Sequence, residues 1–336
     1  MRTTIRDVAA MAGVSINTVS RVLNDKGEVS PETRDKIQVA IKSLKYRPNS
    51  FARSLVSKQS RIIGQIVTDC TNPNNAQQIR SVQNLTAEQG YSVMLVDTAE
   101  EHQREVAALE LMVEKMVDGF LITPLQYDNS HLYRLQEEAS LPFVLTNRDI
   151  PGLGVDAVLH DNFDGAYQAT RHLLELGHQR IAYITSRRQV WTVAERLAGY
   201  RTSLQESGQN FDESLIIQTN LSLESAFEAT NKLLKLTPRP TAIFAYNDMM
   251  AIGVLKALKE AGLRIPEDIS LIGYDDIIYS QFLEVPLTTV RQKTRELGEK
   301  AASVLLQRIA NPQALLERVI LQPELVVRQS TGPSSS

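Results

Sequence analysis

Residues Thr4-Ile5-Arg6-Asp7-Val8-Ala9-Ala10-Met11-Ala12-Gly13-Val14-Ser15-Ile16-Asn17-Thr18-Val19-Ser20-Arg21-Val22-Leu23-Asn24 spell two short amphipathic helices joined at a glycine. Thr4 reads as an N-cap, with Asp7 at capping-box spacing. Val8, Ala9 and Ala12 make the apolar face of the first helix, and Gly13 ends it and permits a sharp turn. Ser15 caps the second helix, in which Val19, Val22 and Leu23 share one face. Ser30-Pro31-Glu32 opens a third, a cap followed by proline at the first helical position. Its apolar stripe is Ile37, Ala40, Ile41 and Leu44.

Three such helices match the helix-turn-helix unit, whose second helix enters the DNA major groove. Asn17 and Arg21, four apart, share a helix face. Their side chains suit bidentate pairing with adenine and guanine edges, and Ile16 suits a thymine methyl. Thr18, Ser20 and Thr33 are hydroxyl partners for phosphate. Thr4, Ser15 and Asn24 complete the expected DNA-contacting set. In the arm Pro48-Asn49-Ser50-Phe51-Ala52-Arg53-Ser54-Leu55, one or two helical turns would project Leu55 as a wedge into the minor groove. Arg53 would lie beside it, with Asn49 and Ala52 on the same contact. The alternative is a plain linker whose Leu55 packs on the body.

Charge is divided to match. Residues 1–60 carry eleven Lys and Arg against five Asp and Glu, a net of +6, which leaves −9 for the rest of a 336-residue chain of net −3. A basic head on an acidic body suits phosphate binding by the head alone. The hydrophobic fraction of 43% is that of a globular protein. There is no apolar leader and no run of about 18 apolar residues, so a cytoplasmic chain without membrane contact is expected. The single cysteine, Cys70, excludes an internal disulfide and a thiolate zinc finger. No P-loop and no nucleophile elbow is present. His102, His131, His160, His172 and His178 show no metal-ligand spacing, and His172 and His178 read as helix-end residues complementing the dipole. Asp275 and Asp276 are neighbours on a strand and point oppositely, a poor acid/base pair. Neither an enzyme nor a cofactor or metal is expected.

From Ser60 onward the pattern alternates. Strands are expected at 62–67, 93–97, 119–122, 143–145, 181–184, 242–245 and 270–274. Helices are expected at 76–89, 104–115, 162–176, 194–207, 223–235 and 248–261. Repeated βα units with apolar strands imply parallel sheets covered on both faces, and their number implies two subdomains. Ligands in such folds bind beyond the carboxyl ends of the strands. Polar residues stand there: Asn74 and Asn75, Thr123, Asn147, Arg148, Asp161, Asn247 and Asp275.

The head, from Asp7 to Asn24, and Arg53-Ser54-Leu55 closely resemble the lactose-repressor (LacI/GalR) family, and the resemblance runs through nearly the whole chain. It implies an all-α head on an α/β two-subdomain body like the periplasmic binding proteins, with three chain crossings. The expected parts are a head at 1–48, a hinge at 49–59, one subdomain at 60–160 and 287–321, and the other at 161–286 and 322–330. A disordered tail at 331–336 completes the chain.

The resemblance also implies a homodimer on palindromic double-stranded operator DNA, controlled by a small-molecule effector. A sugar receptor without a DNA role is the alternative. Arg196 matches the family's effector-binding arginine, and Asn247 and Asp275 match its polar contacts. Asn147 stands where many members carry aspartate. Asparagines at 72–75 and Leu221 stand where members often carry aromatic rings, a departure that favours a sugar over a purine. Trp191 either stacks on the sugar or packs in the core. No leucine-heptad tail is present for tetramerisation.

Overall fold

The computed structural model describes residues 3–23, 27, 29–46, 59–125, 129–138 and 141–334. It divides into two units, Met1–Arg61 and Ile62–Ser336. Asn24, Asn49, Ala52, Arg53 and Leu55 lie outside the described residues, and so does the expected wedge.

The first unit is built from α1 (Ile5–Ala12), α2 (Ile16–Leu23) and α3 (Pro31–Ser43). Local chemistry sets each boundary. The Asp7 carboxylate accepts from Thr4 N and Thr4 Oγ1 at 2.8 and 2.9 Å. Gly13 is left-handed at φ 65°, which closes α1 at a conformation that L side chains avoid. Ser15 Oγ accepts from Thr18 N, and Ser30 Oγ from Thr33 N. Val8, Ala9, Val19, Val22, Ile37 and Ala40 form the core.

In the second unit β1 (Ile62–Val67), α4 (Pro73–Glu88), β2 (Ser92–Asp97), α5 (His102–Glu114), β3 (Gly119–Ile122), α6 (Ser130–Glu138), β4 (Phe143–Thr146) and β5 (Asp156–His160) come first. Then follow α7 (Asn162–Glu175), β6 (Ile181–Ser186), α8 (Trp191–Glu206), β7 (Ile216–Thr219), α9 (Leu223–Leu233), β8 (Ala242–Ala245), α10 (Asp248–Glu260) and β9 (Ser270–Asp275). Last are β10 (Thr288–Arg291), α11 (Thr294–Ala310), β11 (Arg318–Leu321) and β12 (Glu324–Val326). Two six-stranded sheets result, ordered β11-β5-β4-β3-β1-β2 and β12-β10-β9-β8-β6-β7. All pairings are parallel except β10 with β12. Every residue of β3, β4, β5, β6, β8 and β9 is buried, as a sheet covered on both faces requires. Helices α7 and α8 approach so closely that a Cβ on Gly199 would meet the Phe163 carbonyl.

Three expectations change. The crossing expected near Pro286 comes later. Thr288 to Arg291 pair with β9 in the second sheet, so the chain leaves that sheet only at Gln292-Lys293, before α11 covers the first. The residues 331–334, expected to be disordered, are pinned. Gly332 N donates to Ser270 Oγ, His178 Nε2 donates to the Gly332 carbonyl at 3.0 Å, and Ser334 N donates to Leu176 O. His172 Nε2 meets Thr331 Oγ1 at 3.0 Å. Burial lowers the pKa of both His172 and His178, so they act as neutral clamps on the tail, not as cations on a helix dipole. Helix α4 starts at Pro73, not 76, because the Asn72 side chain caps it by accepting from Asn74 N.

Candidate nucleic-acid interface and ligand cleft

On the head, Ser15, Ile16, Asn17 and Arg21 are exposed together at the start and along one face of α2, while Val19 and Val22 on the other face are buried. These exposed side chains thus stand on a helix held by its own buried face. Thr18 and Thr33 are half-buried, and their hydroxyls meet Ser15 Oγ and Ser30 Oγ. Thr4 is likewise engaged with Asp7. These three serve the caps first. Ser20 is half-buried.

In the body, the carboxyl ends of strands from both sheets enclose a cavity of about 580 Å³. Asn74, Asn75, Thr123, Asn147, Arg148, Arg196, Leu221, Asn247 and Asp275 all line it, as expected from the sequence. Asp161 and Trp191 do not. Asp161 caps α7 by accepting from Asp164 N. Trp191 packs against the apolar core of the first sheet. It stands five residues, about 140° of helical turn, from Arg196. Thr192, four residues before Arg196 and on its face, takes the place in the lining instead.

Arg196 organises the floor. It is 4% exposed. Its Nε donates to Asn162 Oδ1 at 2.9 Å and its Nη1 to the Tyr246 carbonyl at 2.7 Å. The guanidinium lies 3.6 Å from the Tyr274 ring centre and 4.5 Å from that of Tyr246. Its Nη2 stands 3.9 Å from Asp275 Oδ1, which also accepts from Gln292 Nε2 at 2.6 Å. Asp276 turns the other way, to Arg291 and Arg328. Burial pushes the Asp275 carboxyl up to about 6, against the pull of Arg196 and Gln292.

Asn147 donates to Gln78 Oε1, and Asn247 caps α10 by accepting from Met250 N. Asn147 and Asp275 both hold positive φ, 61° and 116°, strained backbone of the kind that collects at binding sites.

Sequence reading missed the residues that span the cleft. Glu100 takes Arg148 Nη2 at 2.9 Å from its own side, and Arg188 Nη1 at 3.1 Å from the loop after β6 in the other sheet. Arg188 also donates to the Glu100 carbonyl. Glu100 and Arg188 are 88 residues apart, and no local pattern marks either as a cleft residue.

The Asp275 carboxyl sets a pH dependence. Ionised, it accepts two hydroxyls; protonated, it loses much of that capacity. Affinity for a hydroxylated ligand is therefore expected to be flat above pH 6 and to fall up to about tenfold per unit below it. Calorimetric titration at pH 5 to 8 checks this, and Asp275→Asn should flatten the profile.

Comparison with known proteins agrees with both halves. The sequence model for bacterial regulatory proteins of the lacI family matches residues 4–49, and that for a periplasmic binding protein-like domain matches residues 170–331. The transcriptional repressor PurR of Mannheimia succiniciproducens is 37% identical over 327 residues, 97% of this chain and 98% of that one. The structure of the Lac repressor dimer bound to operator and the anti-inducer ONPF has a TM-score of 0.89 at 30% identity, covering 99% of this chain and 100% of that one. A complex of the transcriptional regulator CelR with cellobiose has a TM-score of 0.74 at 34% identity, over 98% and 100%.

Proposed function

The chain belongs to the LacI family of bacterial regulatory proteins, DNA-binding repressors controlled by a small-molecule effector, and we propose that this member binds a near-palindromic duplex operator as a homodimer and takes a sugar or sugar derivative in its cleft. The observation that carries the ligand class is the buried Arg196–Asp275 pair, with Asn147, Asn247 and Gln292 around it. Donors and acceptors alternate there, as a polyol's hydroxyls require. The ring faces that a flat purine needs are scarce, because Leu221 is aliphatic and the Tyr246 ring is covered by the Arg196 guanidinium. A related regulator is known with cellobiose bound.

On the DNA side, Ile16, Asn17 and Arg21 read base edges in each half-site, and the 49–59 arm is the hinge between head and body. The effector acts by stabilising one of two cleft states, which changes operator affinity by its differential binding. The bond from Arg188 to Glu100 links the two sheets' loops.

The dimer face we assign is the apolar segment after β9, where Ile278, Tyr279 and Phe282 are 64, 53 and 76% exposed. Asp248 holds this segment through Ile277 N and Ser280 Oγ, and Asp248 follows the cleft residue Asn247. Phe282→Ser is expected to weaken dimerisation at least about tenfold, read by sedimentation at several concentrations, with the monomer still folded.

The test is direct. An operator is selected from random duplex DNA, and its gel shift is titrated with monosaccharides, disaccharides, sugar acids and purines. A sugar that alters the shift, and fails to do so with Asp275→Ala, supports the reading. A response to purines alone, or no duplex selected at all, defeats it.

A further inference from the structure

The structure brings together three side chains that are scattered in the sequence. His102 opens α5, Glu105 lies one turn on along the same helix, and His131 lies in the first turn of α6. One ligand atom from each falls within 4.8 Å of the others, the one such group of three among the described residues. Glu105 is wholly buried and His131 is 7% exposed. The two imidazole rings meet edge to face at 5.1 Å between centres.

The hydrogen bonding is incomplete in a specific way. Glu105 Oε1 meets His131 Nε2 at 2.7 Å, and Glu105 Oε2 accepts from Leu125 N at 3.1 Å. The Nδ1 atoms of both His102 and His131 are buried and have no partner. A buried imidazole nitrogen without a partner is costly in a plain structural role. A cation held by His102 Nδ1, the Glu105 carboxylate and His131 Nε2 removes that cost at His102.

We propose that His102, Glu105 and His131 form a binding site for one divalent zinc-type ion. Two imidazoles and a carboxylate, with water in the fourth position, make a donor set that zinc favours. The Leu125 N–H orients the carboxylate from behind, as outer-shell donors do in metal sites. Tetrahedral zinc at about 2.0–2.1 Å from each ligand needs the Glu105–His131 atom pair at about 3.3 Å, so loading widens that contact by roughly 0.6 Å and replaces the proton the two now share. The ion sits behind the cleft wall. Leu125 follows Pro124, whose carbonyl accepts from Arg148 Nη1, and Arg148 lines the cavity.

The probe is Zn²⁺ alone, titrated into the metal-stripped full chain and read by calorimetry and by competition with a chromogenic chelator. One ion per chain is expected. His102→Ala and His131→Ala should each weaken binding by at least about tenfold. Cys70→Ser, which removes an exposed thiol away from the cluster, should leave it unchanged. X-ray absorption on the zinc-loaded wild-type chain should show two imidazoles with oxygen and no sulfur. That spectrum decides the matter even if a histidine variant fails to fold. No binding, binding undiminished in the folded histidine variants, or a sulfur-containing shell would overturn the site and leave a buried His131–Glu105 pair.

Discussion

Arg196→Met is expected to abolish the effector response and to destabilise the body by about 3–5 kcal/mol, the usual cost of removing one member of a buried charged pair. The guanidinium holds four things at once: Asn162 Oδ1, the Tyr246 carbonyl, the Tyr274 ring and the Asp275 charge. Methionine fills much of the volume but supplies no donor. Asn162 Oδ1 and the Tyr246 carbonyl lose the Arg196 donor, and Asp275 loses the cation that opposes the upward pull of burial on its pKa. In the variant that carboxyl is protonated at a higher pH than in the parent. Arg196→Lys keeps the charge but not the planar fork, and should recover part of the stability and little of the response. Urea denaturation of the ligand-free chain, paired with a shift titration, separates the two effects. A variant that keeps both parental stability and effector response would remove Arg196 from the centre of the cleft.

Arg21→Ala on α2 should cost about 1–3 kcal/mol of discrimination at one base position in each half-site, while non-specific binding keeps a steep salt dependence. Arg21 is exposed beside Asn17, and its backbone belongs to a helix anchored by the fully buried Val19. The substitution is therefore expected to remove the proposed base contact and leave the fold of the head unchanged. Competition between the operator and single-base variants checks this. Unchanged preference at every position, with affinity reduced uniformly, would reassign Arg21 to phosphate. The +6 head charge already provides ample attraction for phosphate.

The head could be read from its sequence because its determinants are local. Cap, glycine turn and apolar stripe each lie within a few residues of the helix they shape. Most central strands were equally plain, since a strand buried on both faces is largely apolar, but β5 was not expected: its buried run of Ala157, Val158 and Leu159 is only three residues long between Asp156 and His160. Of the edge strands only β2 was expected. β7 and β11 are partly exposed, and β12 is three residues long, so each leaves an apolar run of only three residues. β10 is buried at Thr288, Thr289 and Val290, but two of those three are threonines and the fourth residue, Arg291, is exposed.

The cleft divides in the same way. Arg196, Asn247 and Asp275 were expected from the family resemblance, and all three line the cavity. Of the two places open to Trp191 the structure takes the core, because nearness in sequence to Arg196 is not nearness on a helix face. Glu100 joins Arg148 and Arg188 from far along the chain.

The sequence by itself determined the helix-turn-helix head, the βα repeat, the basic and acidic halves, and the polar character of the strand ends. All of these follow from propensity, capping and periodicity acting over one or two turns. Only the tertiary structure decided which polar residues face one another across the cleft, that residues 331–334 are clamped by two neutral histidines, and that His131 meets His102 and Glu105. Those pairings depend on loop closure between distant segments, and no short-range pattern encodes the path by which the chain brings them together.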